Sequence, residues 1–158
     1  MALKTLERYQ EWTQLFFSIM AREHFCSYEV SKLLKDNGFN DTCRAFWLVR
    51  TSDHTLYECS RDHAFDFCTN ESLSIDHDEA IAAPSVQMAK EWIMEKYDTY
   101  CLVEVASDGK YFPIIKDCVD GCWIFDFGFE NRGISFDTEY EALGTMFMYV
   151  LQNKERKR

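Results

Sequence analysis

The stretch "YCLVEVASDGKYFPII", Tyr100 to Ile115, decides how the second half of the chain folds. Its first part alternates. Cys101, Val103 and Val105 point one way, and Leu102 and Glu104 the other, the period of a half-buried strand. Asp108-Gly109 then supplies a two-residue turn of the kind that joins antiparallel strands. "YFPII" returns. Pro113 has no N–H to give to a ladder, so it belongs on an edge strand or at a non-bonded position. The stretch reads as a β-hairpin.

The hairpin needs a third strand and a cover. A second turn, "VDG", leads into "CWIFDFGF", Cys122 to Phe129, where Trp123, Phe125, Phe127 and Phe129 alternate onto one face. The last helix follows in "FDTEYEALGTMFMYVLQNK": Thr138 with Glu141 forms a capping box, and Leu143, Phe147, Val150 and Leu151 make its inner stripe. On the other side lies "IAAPSVQMAKEWIMEKYDTY", Ile81 to Tyr100. Pro84 disfavours helix for Ala83, so a helix opens at Pro84 or just after it with Ser85 as cap. Val86, Ala89, Ile93 and Tyr97 line one face, flanked by Met88 and Trp92. Trp92 is expected to be a core residue packed on the sheet. Residues 81–152 therefore read α-β-β-β-α, an antiparallel meander whose aromatic face (Trp123, Phe125, Phe127) is covered by the two helices.

Upstream, Trp12, Leu15, Phe16 and Ile19 fall at helical spacing within Leu3 to Met20, widened by Leu6, Tyr9 and Phe17. "SYEVSKLLKDNGF" is a short helix with Ser27 as N-cap, a Val30, Leu33, Leu34 stripe and Gly38 at its end. "RAFWLVR" reads as a strand, "TSDH" as a turn and "TLYEC" as the strand that pairs back. Residues 60–80 read as a long acidic loop with at most one short element. The expected class is α+β: an antiparallel β-meander covered by flanking helices, with N-terminal helices. One domain spans 1–158, organised as an N-terminal helix (1–24), a helix plus β-hairpin (27–60), the α-β-β-β-α unit (81–152) and a basic tail (153–158).

Composition narrows the functional classes. Hydrophobic residues make up 47% and aromatics 16%, enough to build a core, and 6 Gly with 2 Pro speak against a low-complexity linker. No apolar run approaches membrane-spanning length, and the first residues lack the apolar centre of a secretory leader. Seven cysteines, an odd number, read as reduced thiols, and the expected location is cytoplasmic. The net charge is −10, and without the terminal "KERKR" it is −13. Residues 58–79 and 117–141 each hold seven acids against one Arg. Such a surface repels phosphate backbones, which excludes duplex nucleic acid as a partner and favours a protein partner.

Candidate chemistry is sparse. Cys59, His63 and Cys68, with Cys43 as a possible fourth ligand, match no common zinc spacing, so neither a metal nor a cofactor is expected. Cys118 and Cys122 flank a turn that could bring them within disulfide reach. His77 sits among Asp76, Asp78 and Glu79, where its charged form is favoured. Asp126 interrupts the apolar strand opposite the aromatic face. Asp126, His77 and His63 are the ligand-binding candidates. No residue is assigned as catalytic, because no nucleophile elbow, HExxH helix, phosphate loop or dinucleotide fingerprint is present.

"YEVSKLLKDNGFNDTCRAFWL", "APSVQMAKEWIMEKY" and "FDTEYEALGTMFMYVLQ" together resemble a set of small proteins of gut Bacteroidetes, often carried in prophages and mobile elements, with no assigned activity. The resemblance covers Tyr28 to Gln152 and implies an α+β cytoplasmic protein of phage or mobile-element origin. It transfers no functional residue. The α-β-β-β-α order is also similar to double-stranded-RNA-binding domains and HicB-like antitoxins. Asp137, Thr138, Glu141, Ala142 and Leu143 match the closing HicB-like helix, whereas RNA-binding members carry a basic start to that helix where this chain has "DTEYEA". The leading expectation is a non-enzymatic acidic interaction module, monomeric, or dimeric through the N-terminal helix. The alternatives are an antitoxin-like inhibitor of a basic nuclease, and an enzyme or small-ligand binder using the acidic His-containing loop.

Overall fold

The structure, a computed structural model, describes residues 25–50, 53–59, 67–76, 80–119, 122–123 and 134–153. The N-terminal helix expected over 3–20 and the basic tail lie outside the described residues, as do Phe125, Phe127 and Phe129. The class is α+β, with helices packed on two small antiparallel sheets.

The first sheet grows from α1 (Tyr28–Asp36). The Ser27 hydroxyl accepts from Val30 N, Val30 and Leu34 are buried, and Gly38, at φ +90°, turns the chain out of the helix. β1 (Ala45–Arg50) and β2 (Asp53–Glu58) then pair antiparallel, with Phe46 opposite Tyr57 and their rings stacked. Two elements lie in or at the end of residues 60–80, the stretch read as a long loop with room for one short element. α2 (Asn70–Asp76) is capped reciprocally: Ser72 N donates to Thr69 Oγ1, and Thr69 N to Ser72 Oγ. β3 (Ala80–Ala82) adds to the free edge of β1, giving the order β2-β1-β3. The buried Asn70 side chain joins them, donating to Phe39 O at 2.8 Å and accepting from Ala82 N at 3.0 Å.

The second sheet is the expected meander between two helices. α3 (Val86–Tyr97) opens on Ser85, whose hydroxyl accepts from Met88 N, so the cap follows Pro84. It ends at Asp98 in the left-handed region, at φ 50°. β4 (Thr99–Val105) and β5 (Tyr111–Val119) form the hairpin, and β6 (Cys122–Trp123) is a two-residue third strand.

The turn of that hairpin differs from the expected two-residue form. Gly109 N bonds Ala106 O, Ala106 N bonds Lys110 O, and Gly109 alone of the loop has positive φ, at +79°. This is a three-residue loop with a left-handed Gly at its end. The Asp108 carboxylate accepts from Lys110 N, which helps keep Asp108 out of the left-handed region that a two-residue turn would demand of it. Pro113 is opposite Val103. Tyr111 exchanges both backbone bonds with Phe136 on the far edge, so by the period of two the Pro113 nitrogen also faces away from β4. The non-bonded position is the one it occupies.

α4 (Glu139–Asn153) covers both β4 and β5 and packs against α1 and α3. Thr138 Oγ1 accepts from Glu141 N, and the buried Leu143, Met146, Phe147, Val150 and Leu151 make its inner stripe. They meet Cys101 and Ile115 from the sheet, Val30 and Leu34 from α1, and Ala89 and Ile93 from α3 in one core.

Candidate functional site

None of the sequence-chosen ligand candidates falls on a described position. His63, His77 and Asp126 lie outside the described residues. Trp123 is in β6. Trp92 is half-buried on α3. Its ring meets Phe39 edge-on at 5.7 Å and Tyr97 at 5.9 Å, with the Lys96 ammonium 4.7 Å from its centre. Register pairs Cys118 with Trp123 and Val119 with Cys122, so the two cysteines are not cross-strand partners.

Three thiols from distant positions do converge. Cys43 and Cys68 face each other as an isolated antiparallel bridge, bonded at 2.7 and 2.9 Å. Cys59 follows β2 and bonds Arg44 O. Burial pushes the Cys43 thiol up to about 12 and raises Cys26, Cys59 and Cys68; a hydrogen bond between Cys59 and Cys68 partly offsets this at Cys59. Cys26, Cys43, Cys59 and Cys68 are in no disulfide. Thiols held neutral by burial are poor nucleophiles, so the cluster behaves as apolar packing. Among the described residues no group of three or more His, Cys, Asp or Glu is arranged to hold a metal ion.

The concave surface lies elsewhere, between α1 and α4. A groove of about 400 Å³ runs between them, with Val30, Val86, Phe136, Phe147 and Met148 along it and Gly144 in its wall. The Tyr140 hydroxyl at its rim donates to Phe25 O at 2.6 Å. Burial first, then Cys26 and Glu29, lift the Tyr140 phenol to about 12. The groove continues into a wider cleft of about 810 Å³ lined by Val86, Gln87, Lys90 and Tyr111 and by the start of α4. Asp137 and Glu141 line both parts, where these meet, and Glu139 lines the second; all three are exposed. Their charges are favoured at the positive end of the α4 dipole. Lys110 pairs with Asp137 and holds its carboxyl below the usual range.

The site is thus an apolar groove that opens onto an acidic cleft. Sequence reasoning missed it, because its walls come from residues 26–30, 86–90, 111 and 135–148. No protein-family model, curated protein or solved structure matches the chain. No helix among the described residues is long and apolar enough to cross a membrane.

Proposed function

We propose that this chain is a non-enzymatic, acidic, cytoplasmic interaction module that receives a basic segment of a partner protein in the cleft between α3 and the start of α4. The observation that carries the reading is the continuity of an apolar groove with a cleft lined by Asp137, Glu139 and Glu141. A segment with apolar residues followed by lysines or arginines complements both parts. The net charge of −10 supports the same choice of partner and opposes binding of duplex nucleic acid. The free thiols agree with a reducing compartment. The resemblance to small proteins of prophages and mobile elements supports an origin there. The HicB-like form of the last helix supports inhibition of a basic nuclease as one version of the role.

The test is a titration of the isotope-labelled full chain, at physiological salt, with an amphipathic Lys-rich peptide and a length-matched acidic one. The expected result is saturable binding of the basic peptide alone, shifting amides of Val86–Lys90 and Asp137–Glu141. Binding should fall at least tenfold when Asp137, Glu139 and Glu141 are all neutralised. Equal binding of both peptides, or none of the basic one, overturns the proposal. Tight duplex binding in a gel shift at the same salt overturns it as well.

A further inference from the structure

We propose that a pocket between the N-terminal end of α3 and the segment leading into β1 binds a small organic monocarboxylate with an aromatic or branched apolar body. Arg44 receives the carboxylate, and Phe25, Phe67 and Met88 hold the body. The pocket has a volume of about 450 Å³, in the range of small-molecule sites. It shares none of its described lining residues with the groove or the acidic cleft, so this site goes beyond the function above.

Buried chain fixes the walls. Cys43 and Cys68 are buried and exchange both backbone bonds, at 2.7 and 2.9 Å. One residue on, the same antiparallel alignment sets Phe67 beside Arg44, a position where cross-strand side chains come close. The Arg44 guanidinium lies 5.8 Å from the centre of the Phe67 ring. Thr42, on the other side of Cys43, lines the same pocket. Phe25 is bridged to Ser85, the cap of α3, and half-buried Met88 follows in the first turn of that helix.

Charge selects the ligand. The chain carries −10, yet the described residues lining this pocket include one cation and no carboxylate. Among the described residues Arg44 is in no ion pair. A guanidinium placed over an aromatic ring keeps its N–H edge for an acceptor, and a carboxylate matches that edge with two parallel bonds. Phe67 is 53% exposed, and an apolar body seated on its ring covers that surface. A dianion such as phosphate is disfavoured twice. Apolar walls solvate it poorly, and the negative field of the chain repels it more than a monoanion.

The experiment uses the full chain at physiological salt, with methionine methyl groups and arginine side-chain nitrogens isotope-labelled. The probes are phenylacetate, its neutral amide phenylacetamide, and inorganic phosphate. The expected result is saturable shifts of the Met88 methyl and the Arg44 Nε signals with phenylacetate. Phenylacetamide and phosphate should bind at least about tenfold more weakly, the loss of one charge-assisted pair. Arg44→Gln should abolish the preference for phenylacetate over its amide. Thr42→Asp, which supplies Arg44 with an internal carboxylate, should weaken phenylacetate by a similar factor. Both positions are exposed, so neither change touches the core. Equal binding of the amide or of phosphate, shifts that avoid Met88 and Arg44, or no saturable binding overturns the proposal. An unchanged affinity for phenylacetate in either variant overturns it as well. No outcome depends on peptide binding at the acidic cleft, so the two proposals fail separately.

Discussion

Tyr140 donates its hydroxyl to the carbonyl of Phe25 at 2.6 Å, tying the first turn of α4 to a residue 115 positions earlier. Phe25 is also bridged to Ser85, the cap of α3, so one hydrogen bond links three separate parts of the chain. Tyr140→Phe should cost about 1 kcal/mol in urea unfolding, the net value of one such bond.

The same residue makes a pH prediction. The folded phenol titrates near 12, above its ordinary value of 10.0, because the neutral form is favoured by burial. Its contribution is complete below pH 10. It is lost between about pH 10 and 12, as the unfolded chain ionises first. Stability of the native protein should therefore fall relative to Tyr140→Phe across that interval, measured by paired melts. Parallel curves would show that the phenol is not held neutral. The raised thiols of Cys43 and Cys68 add an alkaline slope common to both proteins; Cys26, whose charge acts on Tyr140, is replaced by Ala in both, so the difference isolates Tyr140.

Asn70 is the polar pin of the first sheet. Removing its side chain leaves Phe39 O and Ala82 N unsatisfied at a buried site. Asn70→Ala should cost about 2–3 kcal/mol by thermal denaturation. Asn70→Asp retains the acceptor for Ala82 N but loses the donor to Phe39 O when ionised. That variant should regain stability as the pH falls and its carboxyl protonates. Equal stability at pH 7 and pH 4.5, relative to wild type, would count against the assigned roles.

Asn70 also shows where the sequence ceases to be readable. Elements with a complete apolar stripe and a local cap were legible. Ser27, Ser85 and Thr138 start helices as their chemistry dictates, and the Tyr100–Ile115 alternation gives the hairpin. β3 was not legible, because three consecutive apolar residues have no period to detect; its place comes from pairing with Phe46, Trp47 and Leu48. α2 sits in an acidic run, and its reciprocal Thr69–Ser72 cap and Asn70 bridge depend on partners far along the chain. The groove was hidden for the same reason. Gly144, at the centre of α4, lines it with open space beside it among the described residues, which no local sequence pattern shows.

Trp92 tests how much a half-buried aromatic contributes. Its ring gains edge contacts with Phe39 and Tyr97 and the Lys96 ammonium over its face, yet part of it stays in water. Trp92→Ala should cost roughly 2–3 kcal/mol, below the 3–5 of a fully buried Trp. Trp92→Phe should recover more than half of that loss. A variant that melts like wild type would show that α3 is held by Ala89 and Ile93 alone.

The thiols give the last prediction. Cys26, Cys43, Cys68 and Cys101 are at most 2% exposed, whereas Cys59 is half-buried at the end of β2. Reaction with an alkylating reagent requires both access and thiolate; burial withholds access from the first four and, at Cys26, Cys43 and Cys68, the thiolate as well. Cys59 is raised as well, but its bond with Cys68 works against the shift. Among these five, native protein at neutral pH should label first at Cys59, and slowly. The other four should label only as fast as the fold opens, a rate that rises with added urea. Peptide mapping after timed quenching reads each site. Fast labelling of Cys43 or Cys68 would mean that the cluster beside β1 is open to solvent and its thiols are not simply packing groups.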